Sequence, residues 1–425
     1  MKHKLFRQLI GVSSLRAIGA ACTFLTTILA GRVLGNDAAG TYFWAISFTS
    51  IISSISRLGL DKAFIRIGGV LNVRTEHISR GIFKFSKLSI VLSLALSTLS
   101  LIYFYSLSQA THSKIDTTTT TLIIITPALI SITVIRGSLE LGRGNILRGT
   151  LAISFIPSFT ALSLSIFLFL LTKIEFLTAL LFSSLTGWLT AYLFLSYSLI
   201  RKKRINTNHP ETCSQIAEIQ SWKSSLVFFG IIGLANCMEQ WLPTLVSGIF
   251  FLPSHTAEFG AASRIIGVFQ MIMASAGAAF SHRYISASQS EILRIFKKST
   301  LSIIITTTPA LFLIAISGPY ILDIFGKDFR EGTKILEILL AAQLFNIAFG
   351  STAVILMMRG HVQVIAKIFG TTLAFHLAAS FFSGYIGSPV ILASSSAITT
   401  ILQSLLSAYA FKKIYLRSKP KQIKK

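Results

Sequence analysis

The chain has 425 residues, a formal net charge of +24, 52% hydrophobic residues and a mean hydropathy of +0.70. That hydropathy lies far above the range of water-soluble domains, which excludes a soluble enzyme as the body of the chain. The basic surplus is spread over many short segments with no aromatic interleaving, so it points to anionic lipid headgroups and not to nucleic acid.

A helix needs ~20 apolar residues to cross a bilayer core. Twelve such stretches are predicted, at roughly 9–31, 40–58, 86–108, 118–136, 150–172, 176–200, 224–250, 259–281, 299–318, 335–358, 361–384 and 389–411. When the connecting segments are assigned alternately to two sides, 32 of the 39 basic residues share the side of both termini. The excess of Lys and Arg marks that side as cytoplasmic. The run after MKHKLFRQ is too long for the apolar core of a signal peptide and carries Arg16, so it reads as a retained first helix. Cys22, Cys213 and Cys237 share no metal-ligand spacing, and neither a metal nor a disulfide is expected from them.

In chain order, span one carries Arg16 with Thr23 and Thr27 on the same face. Span two ends at Arg57, with Asp61 four residues further on. Arg16 and Arg57 could together form a cytoplasm-facing site for an anionic headgroup, although the positive-inside bias alone also accounts for Arg57. Pro127, Pro157, Pro243 and Pro309 fall inside spans, where each removes a backbone donor and can kink its helix.

The stretch Arg201–Trp222 is polar and forms the longest cytoplasmic connection. It divides the chain into an N-terminal six-helix lobe (1–200), an inter-lobe loop (201–222), a C-terminal six-helix lobe (223–411) and a basic cytoplasmic tail (412–425). Two parallel repeats would produce this layout. The segments LGNDAAGTYFWA and LPSHTAEFGAAS, after spans one and seven, are a faint trace of such a repeat. Outside the spans, Gly318–Lys334 reads as a short interfacial helix with a cap. No connecting segment is long enough for a catalytic domain.

Span seven places Asn236, Glu239, Gln240 and Pro243 at i, i+3, i+4 and i+7, on one helical face. Such a stripe suits a helix lining a cavity, or else one bonded to a neighbouring helix. Glu239 is the acid placed deep in a span, and Arg264 in span eight is the matching base. An unpaired charge at the bilayer centre costs ~2.5 kcal/mol or more. The two therefore either pair with each other or serve a ligand and an ion. His376 shares a face with Thr372, Ser380 and Ser383 and reads as a hydrogen-bonded core residue. Gln343, Asn346 and Gly350 read as residues holding span ten against a neighbour.

Three segments carry a family resemblance. ISRLGLDKAFIRIGG (Ile55–Gly69) resembles the first cytoplasmic loop of polysaccharide flippases. IFGKDFREGTKILEILLAAQLFNIAFGSTAVILMMRG (Ile324–Gly360) resembles the family's pattern entering span ten. RGSLELGRGNILRGTLAISFIPSF (Arg136–Phe159) resembles its loop between spans four and five. The resemblance is to the O-antigen flippase branch of the multidrug/oligosaccharidyl-lipid/polysaccharide exporter superfamily. It implies an all-α bacterial inner-membrane protein of twelve transmembrane helices, V-shaped about a central cavity. Such proteins move undecaprenyl-diphosphate-linked oligosaccharides to the periplasmic leaflet by alternating access.

On that reading Arg264, Arg16, Arg57, Asn236 and Gln240 are candidates for holding the substrate, and Glu239 for coupling transport to H⁺ or Na⁺. No other cofactor is expected. The expected partners are the lipid-linked glycan, membrane lipids and other polysaccharide-assembly membrane proteins. A drug/cation antiporter of the same superfamily is the alternative, and it would want more intramembrane acids. A membrane polymerase or ligase acting on lipid-linked sugars is the rival of another class, and it would want a large external loop.

Overall fold

A computed structural model of the protein describes residues 2–70, 87–101, 116–171, 175–202, 213–286 and 288–416. Among the described residues every regular element is a helix, and each expected span falls on one; of span three (86–108) only 87–101 lies within the described residues. By internal contacts the chain divides into two units, Met1–Leu234 and Ala235–Lys425. Part of the expected inter-lobe loop (203–212) and the end of the tail (417–425) lie outside the described residues.

In the first unit, α1 (Lys2–Arg57) carries spans one and two as two legs. They are separated at Gly35, whose φ of 72° lies in the left-handed region that glycine enters without a Cβ penalty. Leu58 and Gly59 both have positive φ, and they turn the chain into α2 (Leu60–Val70). Leu60 and Phe64 of α2 pack on Ile135 and Leu139 of α4 (Thr117–Gly142), forming a small core. In chain order α3 (Lys87–Leu101) comes between α2 and α4. Asp116 caps α4 by accepting from the Thr117 amide at 2.8 Å.

A single apolar helix, Ile146–Leu171, follows. It consists of α5 (Ile146–Thr150), a π turn (Leu151–Phe155) and α6 (Ile156–Leu171). Pro157 has no N–H for the carbonyl of Ile153, and the wider turn lies where that bond is missing. Gly19 of α1 lies against the main chain of Ser154 in this turn, and Gly187 of α7 (Phe176–Lys202) lies against that of Pro157. Both glycines are places where a Cβ would strike backbone. Arg136 of α4 donates to Ser196 Oγ of α7 at 2.9 Å and stands over the Tyr192 ring.

The helix α8 (Cys213–Phe250) leads into the second unit, followed by α9 (Pro253–Ser286) and α10 (Gln289–Ile316). Ser288 and Glu291 form a reciprocal capping box at the start of α10. The expected interfacial segment is a short helix, α11 (Gly318–Leu322), and a 3₁₀ turn (Lys327–Gly332). Then come α12 (Thr333–Met358), α13 (Val362–Ile386) and α14 (Pro389–Tyr415). The core of this unit is α12 packed on α14, α9 and α10, with α13 against α14. The buried face of α14 is dominated by small residues, among them Ser395, Ser396, Ala397 and Thr399. Small side chains let helices approach closely where no water drives them together.

Most hydroxyls in the spans are satisfied within their own helix. Thr26 donates to the Cys22 carbonyl at 2.9 Å, Ser47 to that of Phe43 at 2.7 Å and Ser131 to that of Pro127 at 2.7 Å. Such back-bonding removes the cost of a polar group in hydrocarbon, so a serine or threonine in a span does not by itself mark a site. On the outer faces Leu170 is 72% and Ile316 78% exposed in the isolated chain. Side chains of this kind at this exposure belong in lipid.

Candidate functional site

The second unit contains a cavity of about 320 Å³, and α8 supplies one wall through Asn236, Glu239 and Gln240. Pro243, one turn further along the same stripe, borders a smaller space of about 30 Å³ with Glu239 and Gln240. The spacing that put these four residues on one helical face thus puts them on the cavity face. The opposite walls come from α9 (Gln270), α12 (Asn346) and α14 (Gln403, Ser407).

Among the described residues, Glu239 is the only charged side chain in the lining of this cavity. Thr400 Oγ1 donates to its Oε1 at 2.8 Å, and Gln403 Nε2 donates to its Oε2 at 3.1 Å. Gln403 is itself oriented: Thr372 Oγ1 of α13 donates to its Oε1 at 3.1 Å, which leaves the amide nitrogen for the carboxylate. Two donors and a third group behind them therefore hold Glu239 across α8, α14 and α13. None of Thr372, Thr400 and Gln403 was singled out as a partner of Glu239 from the sequence. The signal was present in span twelve, where Thr400, Gln403, Ser404 and Ser407 make a polar face at helical spacing.

Arg264 meets a different face of α8. Its guanidinium lies over the Trp241 ring, 4.2 Å from the centroid. Trp241 is two residues past Glu239, which is more than half a turn around the helix. The residue that faces Arg264 is thus not the one that faces α14. The salt bridge between Arg264 and Glu239 considered from the sequence is not formed among the described residues.

Arg16 and Arg57 lie in the first unit, on the two legs of α1. Arg16 is exposed, and the Arg57 guanidinium donates to Ser53 Oγ one turn back. The i, i+4 relation expected of Arg57 and Asp61 is lost because the helix ends at Arg57 and the chain turns at Leu58 and Gly59. Asp61 instead approaches Lys62 Nζ at 4.0 Å. His376 is buried, with Nδ1 3.2 Å from Thr399 Oγ1 and 3.5 Å from Ser380 Oγ, the setting of a core histidine. Gln343 and Asn346 were expected to hold span ten against a neighbour; Asn346 instead donates to Gln343 Oε1 at 3.1 Å within α12, and it also faces the cavity. Among the described residues no cluster of three or more His, Cys, Asp or Glu side chains could hold a metal ion.

Among the described residues, long apolar helices in this order and packing define a polytopic membrane protein. No family model matches the chain, and no curated protein is similar to it. Solved structures are similar over nearly the whole length. A lipid II flippase, MurJ, in an inward closed conformation superposes with a TM-score of 0.68 at 14% identity, over 96% of this chain and 90% of that one. An inward-facing multidrug resistance MATE family transporter of the MOP superfamily superposes with a TM-score of 0.62, also at 14% identity, over 96% of each chain. A MOP superfamily transporter from Pyrococcus furiosus gives 0.59, with the same identity and coverage. The chain has the fold these transporters share.

Proposed function

We propose that the protein is a flippase for lipid-linked oligosaccharides, moving an undecaprenyl-diphosphate-linked repeat unit of a surface polysaccharide across a bacterial inner membrane. Its termini face the cytoplasm, and the load crosses by alternating access. The observation that carries this reading is the cavity lining: amides and hydroxyls around a single acid, within a fold shared with a lipid II flippase. Amide and hydroxyl groups donate and accept, which suits sugar hydroxyls.

In this reading Arg16, Arg57 and Arg264 attract the diphosphate, because a charged headgroup dragged through hydrocarbon needs cationic partners. Asn236 and Gln240 contact the glycan, and Glu239 couples transport to an ion. That ion is H⁺ or Na⁺.

A drug/cation antiporter is the second reading, favoured by the MATE structures that share the fold. The lone acid in the cavity counts against it. The deciding experiment uses the purified chain in proteoliposomes containing a fluorescent polyprenyl-diphosphate oligosaccharide. A membrane-impermeant glycosidase should reach the label on the far leaflet only when the protein and a pH or Na⁺ gradient are present. Export of cationic dyes without any glycan movement would replace this reading with the antiporter.

A further inference from the structure

The cavity in the second unit has more features than a generic polar lumen. Ser407 is 1% exposed and borders the cavity, yet its Oγ has no hydrogen-bond partner. Its neighbours on α14 behave differently: Ser395 and Ser396 both donate to the Leu392 carbonyl at 2.9 Å, and Thr399 donates to that of Ser395 at 2.9 Å. A buried hydroxyl left unbonded costs roughly 1–3 kcal/mol, so Ser407 is an unsatisfied polar group in the cavity wall, one small shift from a partner.

Asn346 spends its amide nitrogen on Gln343, which leaves its Oδ1 as an acceptor. Gly350 makes room for that oxygen. A Cβ at position 350 would come within 2.7 Å of both Asn346 Oδ1 and Met273 Cε. Gln270 adds an amide from α9, and Phe369 of α13 adds an apolar ring surface to the same lining.

A lining that combines amide and hydroxyl groups with Phe369, Met273 and Met357 suits a pyranose ring, which has hydroxyls at its edge and C–H groups on its faces. The volume, about 320 Å³, is at the small end of ligand sites, which suits one or two sugar rings. The charge is selective as well. Glu239 is an acid, and no described residue of the lining is basic. A second carboxylate brought into this space would lie near that acid with no described cation in the lining to offset it.

We infer that this cavity is a binding site for an uncharged sugar residue of the transported glycan, and that it discriminates against uronic acids. The inference rests on the flippase reading and narrows its substrate class.

Saturation-transfer NMR on the full chain in lipid nanodiscs tests it, with methyl N-acetyl-glucosaminide and methyl glucuronide as probes. The neutral glycoside should give a signal at least tenfold stronger than the glucuronide. Gly350→Ala and Ser407→Ala should each weaken that signal several-fold, at unchanged melting temperature. Equal signals from the two probes, no signal from either, or an undiminished signal in both variants would overturn the inference. Should Gly350→Ala fail to fold, Ser407→Ala alone carries the comparison, because it removes only the hydroxyl oxygen and adds no bulk. The proteoliposome assay is independent of these signals. Glycan movement without sugar binding sinks only the site, whereas sugar binding without glycan movement sinks the flippase reading and, with it, the assignment of the bound sugar to a transported glycan.

Discussion

Glu239 and Gln403 meet across α8 and α14 with Oε2 and Nε2 3.1 Å apart, and this contact takes the place of the ion pair with Arg264. The carboxylate's donors are neutral, so removing Arg264 does not strand it. A substitution at 239 therefore acts on α14 and on the cavity.

The first prediction follows. Glu239→Gln replaces one carboxylate oxygen by an NH₂ group that faces Gln403 or Thr400, so one charge-assisted bond is lost, ~1.5–3 kcal/mol. Transport in proteoliposomes should fall by about tenfold or more. Adding Arg264→Gln should not restore it, since the two are not partners. Recovery of transport in the double variant would show that they pair in some transport state.

Arg264 is held by the Trp241 ring. Such cation–π contacts are worth ~0.5–2 kcal/mol, depending on desolvation. A double-mutant cycle with Arg264→Gln and Trp241→Leu, read by thermal unfolding in detergent, should give a coupling in that range. Simple additivity of the two single variants would assign the arginine wholly to ligand binding.

In the segment between α10 and α12, Arg330 grips Asp323 through two nitrogens and stands 5.8 Å from the Tyr320 ring centroid. The hydrogen bonds from Arg330 hold the Asp323 carboxyl below the usual carboxylate range, and the arginine's charge adds to this. A depressed folded-state pKa means a contribution that is present above the unfolded value, ~3.9, and is lost as pH falls through the folded one. At pH 7 Asp323→Asn should melt below the wild type. The gap should close as the buffer is taken toward pH 2.5, and a gap independent of pH would rule out this ion pair as its source.

Gly19 lies against the Ser154 carbonyl in the π turn. Overpacking of this kind costs ~1–3 kcal/mol, and more where backbone must yield. Gly19→Val should reduce the folded yield and the melting temperature, whereas Gly144→Ala, at an open position on the same unit, should suffer only from its positive φ. Normal folding of Gly19→Val would mean that α1 and the π turn are not held together as described.

Orientation can be checked directly. With the native cysteines removed, Asn208→Cys should stay unlabelled by an impermeant thiol reagent in intact cells and react after permeabilisation. Labelling in intact cells would reverse the assignment of both termini.

The helical class and the positions of the spans were legible in the sequence, because a bilayer demands apolar runs of fixed length whatever packs beside them. The face of α8 was legible for the same kind of reason: Asn236, Glu239, Gln240 and Pro243 follow the period of the helix itself. What that face meets was not. A helical period fixes which residues share a side, but it says nothing about which of several helices lies opposite. Arg264 and Glu239 looked like partners because they were the two deep charges, and only the rotation of α9 about α8 sent the arginine to Trp241. Arg57 and Asp61 lost their spacing to two left-handed residues at 58 and 59 that no apolar pattern announces.

Sequence alone thus determined that this is a helical membrane protein, roughly where its spans lie, and which residues line one side of α8, since these are local consequences of hydrophobicity and period; the helix ends differ, α8 beginning at Cys213 inside the segment expected to be a loop. The tertiary structure decided that Thr400, Gln403 and Thr372 hold Glu239, that Ser407 faces the cavity unbonded, and that Gly19 and Gly350 must be small, because each depends on atoms brought together from distant parts of the chain.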